Sequence, residues 1–357
     1  MKKSLVSGLL VISSFIFTLC SKDPGPVVRG VTDNYLSGAG VFILNEGNFR
    51  TGNGSLSFFS YDSSKIFNNV FLQVNSRLLG DIPYSMAVSN GKAYIVVNNS
   101  GKIEVVDGNT MESLTTINKL SSPRYISFAT ATKAYVTSLY SDSITILDTE
   151  KDKISGYIDI RHTSETIIAI ENKAFAASWA GGNKIFVIDI LSDAVTDSIE
   201  VGREPESMAV DKNGTLWVLC NGGWQRDSFA ELTAIDTRTD EILRKLIFPL
   251  ITDSPTSLQI DGKGENLFFL LNGGVMQMNI DDAQLPEIPL ISPPGTNLYK
   301  LGINPGNSEI FITDAKDYQS KGDVFRYDKK GVLISKMEAD IIPGSVCFRT
   351  GTLLPGK

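Results

Sequence analysis

Residues 83–117 read PYSMAVSNGKAYIVVNNSGKIEVVDGNTMESLTTI, and their pattern decides the fold. Four short strands are expected: Tyr84 to Ser89, Lys92 to Asn98, Lys102 to Asp107 and Glu112 to Ile117. Asn90-Gly91, the polar tip Asn98 to Gly101 and Gly108-Asn109-Thr110 turn the chain between them. Within the second strand Ala93, Ile95 and Val97 alternate with other residues. Period-two alternation bounded by Asn-Gly and Asp-Gly turns marks antiparallel hairpins. One such sheet cannot bury both of its faces, so the unit has to recur.

It recurs along most of the chain. Pro123, 40 residues on, opens PRYISFATATKAYVTSLYSDSITILDTEKDKISGYI, and Thr163 opens a third copy. Further copies begin at Pro205, Pro255 and Asn297. At the front, GVFILNEGNFRTGNGSLSFFSYDSSKIFNNVF has second, third and fourth strands but no first. At the end, Pro343 to Arg349 (PGSVCFR) is a first strand with nothing after it. The two fragments complete one unit and bring the total to seven. Four strands per 40 to 50 residues predicts an all-β, seven-bladed β-propeller over residues 39–357, built of four-stranded antiparallel blades. The C-terminal strand would join blade one and close the ring, which removes open sheet edges.

Residues 1–19 read as a signal peptide. Lys2 and Lys3 precede an apolar run from Leu5 to Leu19 that is short for a bilayer span. Cys20 ends that run, and the segment resembles a bacterial lipoprotein signal, which implies lipidation of Cys20. Residues 20–38 then form the lipidated cysteine and a tether, with polar residues and two prolines in SKDPGPVVRGVTD. The expected location is the outer membrane through a lipid anchor, facing the cell surface or the periplasm.

Composition excludes several functions. The formal charge is −7, and no clustered basic face suits a nucleic acid. Besides Cys20 there are two cysteines, Cys220 and Cys347, both in apolar strands of non-adjacent blades and so read as buried hydrophobes. His162 is the single histidine, which leaves little for a histidine zinc site or a Ser-His-Asp triad. Asp211 and Asp261 open loops with calcium-like spacing, but Asp, Asn and Gly there serve the turn, and Lys212 and Lys263 stand where ligands are needed. Asp107, Asp148, Asp189, Asp236 and Asp328 each close a third strand and are read as turn-capping scaffold. No catalytic residue, metal or cofactor is expected.

Binding is expected on the face where second-to-third-strand loops and inner-strand starts gather. These loops differ between blades. Candidate ligand residues there are Trp179, Trp224, Tyr140, Tyr84, Asn45, Glu46, Asn98, Arg124, Asn221, Asn272 and Tyr318. Tryptophans offer flat apolar faces with one donor, and asparagines offer amides towards the channel mouth. Glu165, Glu206 and Tyr299 join from the inner-strand starts.

The repeated Pro-x-Ser start and the Asp-Thr-x-Thr-like third turn resemble the YncE-like seven-bladed propellers. Ile43-Leu44-Asn45-Glu46-Gly47-Asn48-Phe49, followed by Gly54-Ser55-Leu56-Ser57, resembles a narrower group of Bacteroidetes lipoproteins. Some of these are cell-surface cobalamin-binding proteins that pass the vitamin to an outer-membrane transporter. The resemblance implies a surface lipoprotein that binds a corrinoid (vitamin B12) or another bulky small molecule, with a TonB-dependent transporter as partner. Two alternatives stay open. One is a protein- or glycan-binding propeller. The other is a lactonase-like hydrolase using oxygens of Glu46, Asn98, Asn221 and Asp314.

Overall fold

In this computed structural model, which describes Leu36 and residues 38–349, twenty-seven strands form seven sheets, accompanied by one short helix. The signal segment, Cys20 and most of the tether lie outside the described residues. Among the described residues no helix is long and apolar enough to cross a membrane.

The reason for the ring is visible in one strand. In Lys92–Val97, Ala93, Ile95 and Val97 pack into the core shared with blade one, whereas Tyr94 and Val96 pack into the core shared with blade three. Both faces of the sheet are therefore buried, each against a neighbouring blade. Full burial of such a side chain is worth roughly 1.5–3 kcal/mol, so the inter-blade cores supply most of the driving force.

Blades two to five and blade seven are four-stranded meanders, such as Pro123–Phe128, Lys133–Ser138, Ser143–Asp148 and Lys153–Asp159 in blade three. Blade one is assembled from both chain ends. Pro343–Arg349 pairs antiparallel with Gly40–Asn45, which continues into Ser55–Ser60 and the three-residue Lys65–Phe67. The propeller and its closure are as the sequence led us to expect.

Blade six departs from the four-strand plan. It holds three strands, Thr256–Ile260, Asn266–Leu271 and Gly274–Asn279. Only Ile291 reaches the outer position, as an isolated bridge to Val275. The segment that should supply the fourth strand carries Pro286, Pro289, Pro293 and Pro294, which lack the amide hydrogens a ladder needs.

Two repeated devices lock blades together. Ser85 Oγ donates to Arg124 O at 2.6 Å, and Ser207 and Ser257 Oγ accept from Leu258 N and Leu301 N at 2.8 and 3.3 Å. The serines of the Pro-x-Ser repeat thus stitch inner strands of adjacent blades. On the opposite side, Lys92, Lys133 and Lys173 reach Asp152, Asp193 and Asp240 of the next blade at 2.6, 2.6 and 2.7 Å. The strand-closing aspartates cap their turns: Asp148 Oδ1 accepts from Glu150 N and Lys151 N, and Asp236 Oδ1 from Arg238 N. Asp211 does the same for Asn213 N and Thr215 N, and it accepts from Trp217 Nε1 at 3.0 Å.

Closure also depends on Arg349. This buried guanidinium donates to the carbonyls of Leu36, Gly38, Gly108 and Asn109, and lies over the rings of Phe42 and Phe58. Desolvation lowers its pKa to about 10. A chain truncated before Pro343 loses the inner strand of blade one and this clasp together, and exposes a sheet edge. It is expected to be insoluble or to unfold well below the full-length protein in a thermal melt. Coincident melts would mean that blade one closes without its inner strand.

Candidate functional site

Inner strands start with a register shift in blade after blade: between Pro83 and Ser85, Pro123 and Ile126, Ser164 and Ile167, Pro205 and Ser207, Thr256 and Gln259, and Leu298 and Leu301. A bulge re-aims side chains that strict alternation would send to opposite faces. Here it turns Tyr84, Arg124, Tyr125, Glu165, Glu206, Tyr299 and Lys300 towards one another, from blades two, three, four, five and seven.

The bonds cross the ring. Tyr84 of blade two donates to Glu165 Oε1 of blade four at 2.8 Å. Arg124 forks onto the same carboxylate, with Nε and Nη2 at 2.7 and 2.6 Å from its two oxygens. Its guanidinium carbon lies 3.5 Å from the centre of the Tyr84 ring. Lys300 of blade seven meets Glu206 of blade five at 3.1 Å, and Ser257 N donates to the other oxygen of Glu206 at 2.8 Å. Tyr299 donates to Glu46 Oε1 at 2.9 Å. Contacts that skip a blade require convergence at the centre of the ring.

Burial sets the electrostatics. Desolvation pushes the Glu46 carboxyl and the phenols of Tyr84, Tyr125 and Tyr299 upward. The same desolvation opposes charge on Arg124, but Glu165 and Tyr84 outweigh it and hold the guanidinium ionised. Lys300 is likewise desolvated, and Tyr125 and Glu206 raise it. Glu206 ends lower than normal because Lys300 and the Ser207 and Ser257 hydrogen bonds outweigh its burial. Fixed ion pairs and raised phenols make a polar plug, with each charge already answered.

Above the plug lies the rim. Trp224 is 90% exposed, Tyr140 76%, Phe49 60% and Tyr318 46%. They come from blades five, three, one and seven. Tyr318 stands edge-on to Tyr299, with centroids 5.9 Å apart, and so joins rim to plug. Between blades three and four an open recess of 600 Å³ is bounded by Tyr140, Asp142, Arg161, His162 and Thr163. Glu204 fixes two of the loops, accepting from Gly181 N and Trp224 N at 3.0 Å each.

The candidate residues therefore divide. Trp224, Tyr140 and Tyr318 stand on the rim, while Trp179 is half-buried. Tyr84, Arg124 and Glu46 belong to the plug. The expected amides have scaffold partners instead: Asn45 Nδ2 donates to Ser55 and Ser57, and its Oδ1 accepts from Asp340 N. Asn98 Nδ2 donates to Pro123 O, Asn221 Oδ1 accepts from Gly223 N, and Asn272 Nδ2 donates to Asp253. Of the oxygens considered for a hydrolase, Asp314 Oδ1 caps Asn297 N and Lys316 N. Among the described residues no group of three or more His, Cys, Asp or Glu side chains could hold a metal.

Strand alternation missed Tyr125, Lys300, Phe49 and Glu204. The signal for the first two was the bulge, which two-residue periodicity conceals.

Residues 39–343 match the model of the family described as Domain of unknown function (DUF5074). No curated protein matches the chain. Among solved structures, a quinonprotein alcohol dehydrogenase-like protein from Bacteroides thetaiotaomicron is similar at TM-score 0.69 and 14% identity, covering 89% of this chain and 79% of that one. The periplasmic gluconolactonase PpgL of Pseudomonas aeruginosa is similar at TM-score 0.66 and 12% identity, covering 87% and 99%. AztD from Citrobacter koseri follows at TM-score 0.54 and 10% identity, covering 87% and 97%. At such identities the likeness shows the propeller fold alone.

The plug gives a stability test. Truncating Glu165 to Leu leaves Arg124 buried and uncompensated, with an expected cost of about 3–5 kcal/mol. The double variant Arg124→Met/Glu165→Leu should recover most of that loss in denaturant titrations. A single variant as stable as the parent would show that water reaches the pair.

Proposed function

This chain belongs to the DUF5074 family, and we propose that it captures a bulky small molecule on the rim of the propeller mouth without transforming it. The observation that carries this reading is the set of large, exposed aromatic side chains raised over a closed polar plug. Flat apolar faces set in an open surface suit a wide ligand with a partly polar edge. The plug supports binding over catalysis, because its acids and bases are bonded to one another.

A corrinoid is the first candidate, through the resemblance carried by residues 43–49 and 54–57. It is broad and flat, with an amide-fringed ring, and it matches a rim better than a narrow pocket. In this reading Cys20 is lipidated, the chain hangs from the outer membrane, and a TonB-dependent transporter receives the ligand. The amides for its fringe would come from backbone and recess groups, since Asn45 and Asn98 are committed to the scaffold.

Calorimetric titration with cyanocobalamin tests the capture reading. Binding at micromolar concentration or tighter is expected, and Trp224→Ala should weaken it by about 2 kcal/mol, on the order of 30-fold. Absence of heat with the unmodified protein would remove the corrinoid. Equal binding by the Trp224→Ala and Tyr140→Ala variants would move the site off the rim.

The anchor is tested separately. Cys20→Ala should shift the protein from the membrane fraction to the soluble fraction of its host. An unchanged distribution, with an unmodified N-terminus by mass spectrometry, would count against lipidation.

A further inference from the structure

We infer that the outer edge of blade six receives a strand from another polypeptide, an extended segment that alternates apolar with polar side chains and carries basic residues. The inference concerns the three-stranded blade and is independent of the rim reading. Val275 N donates to Ile291 O and Val275 O accepts from Leu290 N, both at 2.8 Å and both away from Asn266–Leu271. In an antiparallel ladder such outward groups recur at every second residue, so Gln277 and Asn279 face the same way. Asn279 is taken, since its N donates to Asp282 Oδ2 at 2.7 Å and its O accepts from Asp282 N. Among the described residues Gln277 N and O have no partner on that side. The chain's own segment has left the edge by then. A Cβ on Gly274 would come within 2.8 Å of the Pro289 ring, and residues 289–291 gather at Gly274 and Val275. An unfilled edge of this kind is a template for strand addition.

One free rung is little by itself, and the groove beside it supplies the rest. A cleft of 620 Å³ opens between blades five and six, walled by Leu246, Phe248, Leu271, Met276 and Leu285. Side chains paired across a ladder share a face, so a residue opposite Met276 enters this cleft while its neighbours point away. That position calls for an apolar side chain. Ile247, Leu250 and Ile288 are each more than half exposed and extend the apolar surface.

Charge selects the partner. Asp253 and Glu287 border the cleft, and Asp281 and Asp282 follow the end of the edge strand. The buried Asp253 carboxylate holds only neutral donors, Leu250 N and Asn272 Nδ2, both at 3.1 Å. Nearby cations are engaged elsewhere: Arg244 with the carbonyls of Ile280 and Asp282, Arg226 with Thr252 O, and Lys245 with Glu231. Acidic groups at an apolar edge favour a basic strand. A second copy of this chain, at formal charge −7, brings the wrong sign.

Amide hydrogen exchange, followed by NMR on the full chain, tests the edge first. Gln277 should exchange about tenfold or more faster than Met276 and Met278, whose amides face the neighbouring strand. Equal protection of all three would mean that the edge is closed and would overturn the inference. The probe is then a seven-residue peptide in which valine alternates with lysine and threonine. It is expected to bind below millimolar concentration and to slow exchange at Gln277. The same peptide with N-methylated amides, or with glutamate for lysine, should bind about tenfold more weakly or worse. The exposed Glu287→Lys variant should weaken the basic peptide about threefold with its melting temperature unchanged. No binding at millimolar peptide, or binding indifferent to N-methylation, would overturn strand addition. Preference for the glutamate peptide would overturn the basic partner. A dimer of the chain in sedimentation that Gln277→Pro abolishes would assign the edge to a second copy instead.

Discussion

Two segments from opposite ends of the described chain, Gly40–Asn45 and Pro343–Arg349, pair across blade one, and the rest of the structure depends on that ladder. Without it, seven sheets form an open stack with bare faces at both ends. With it, each sheet buries both faces, and the inner and outer surfaces become continuous. Closing so long a loop is entropically tolerable, because the cost grows only with the logarithm of its length. The kinetic cost is larger, since the decisive contacts are the most distant ones. The same pairing builds the axis: Glu46 N and Gly47 N donate to Ile342 O and Ile341 O at 2.8 and 3.1 Å. The Glu46 carboxyl therefore takes its place beside Tyr299 only when the ring has closed.

At the axis, magnitude separates the interactions that matter. The outer Lys–Asp latches are partly exposed pairs, each worth at most about 1 kcal/mol. Their value lies in fixing the angle between neighbouring blades. The Arg124–Glu165 fork is different, with side chains only 13% and 2% exposed. Its net contribution relative to apolar packing is small, but losing one partner would strand a buried charge. A cluster of this kind specifies which inner strands come together more than it adds stability. Its side chains meet at the centre of the ring, and in the reading proposed above recognition falls to the exposed rim.

How much of this was legible in the chain follows from periodicity. The two-residue alternation in Ala93, Ile95 and Val97 and the recurrent Asn-Gly and Asp-turn signals state the strands, their number and the closing fragment. Blade six was the exception, and the prolines at 286, 289, 293 and 294 that prevent its fourth strand were in plain view. The plug was less legible. A bulge inserts an offset into the alternation, and nothing in the residue pattern singles out Tyr125 and Lys300 beside Arg124 and Tyr299. The asparagines at strand ends were read as a line of amides facing the mouth. Their hydrogen-bond partners, such as Pro123 O for Asn98, belong to neighbouring blades and lie far off in sequence.

Repetition and its absence then sort scaffold from function. The Pro-x-Ser serines, the turn-capping aspartates and the latch lysines recur because every blade must meet its neighbour in the same way. Phe49, Trp224 and Tyr318 each stand four residues past the end of their blade's second strand, and Tyr140 two, but the fold does not require their exposure. A side chain such as Trp224, with nine-tenths of its surface in water, gains almost nothing from the hydrophobic effect in the isolated protein. Yet its loop is not left loose, because the buried Glu204 carboxylate holds Trp224 N and Gly181 N together. A buried carboxylate spent on presenting an exposed indole is a cost to the folded chain alone. In the capture reading proposed above, a ligand covering the indole would offset it, since ordering the loop beforehand removes that entropy from the binding step.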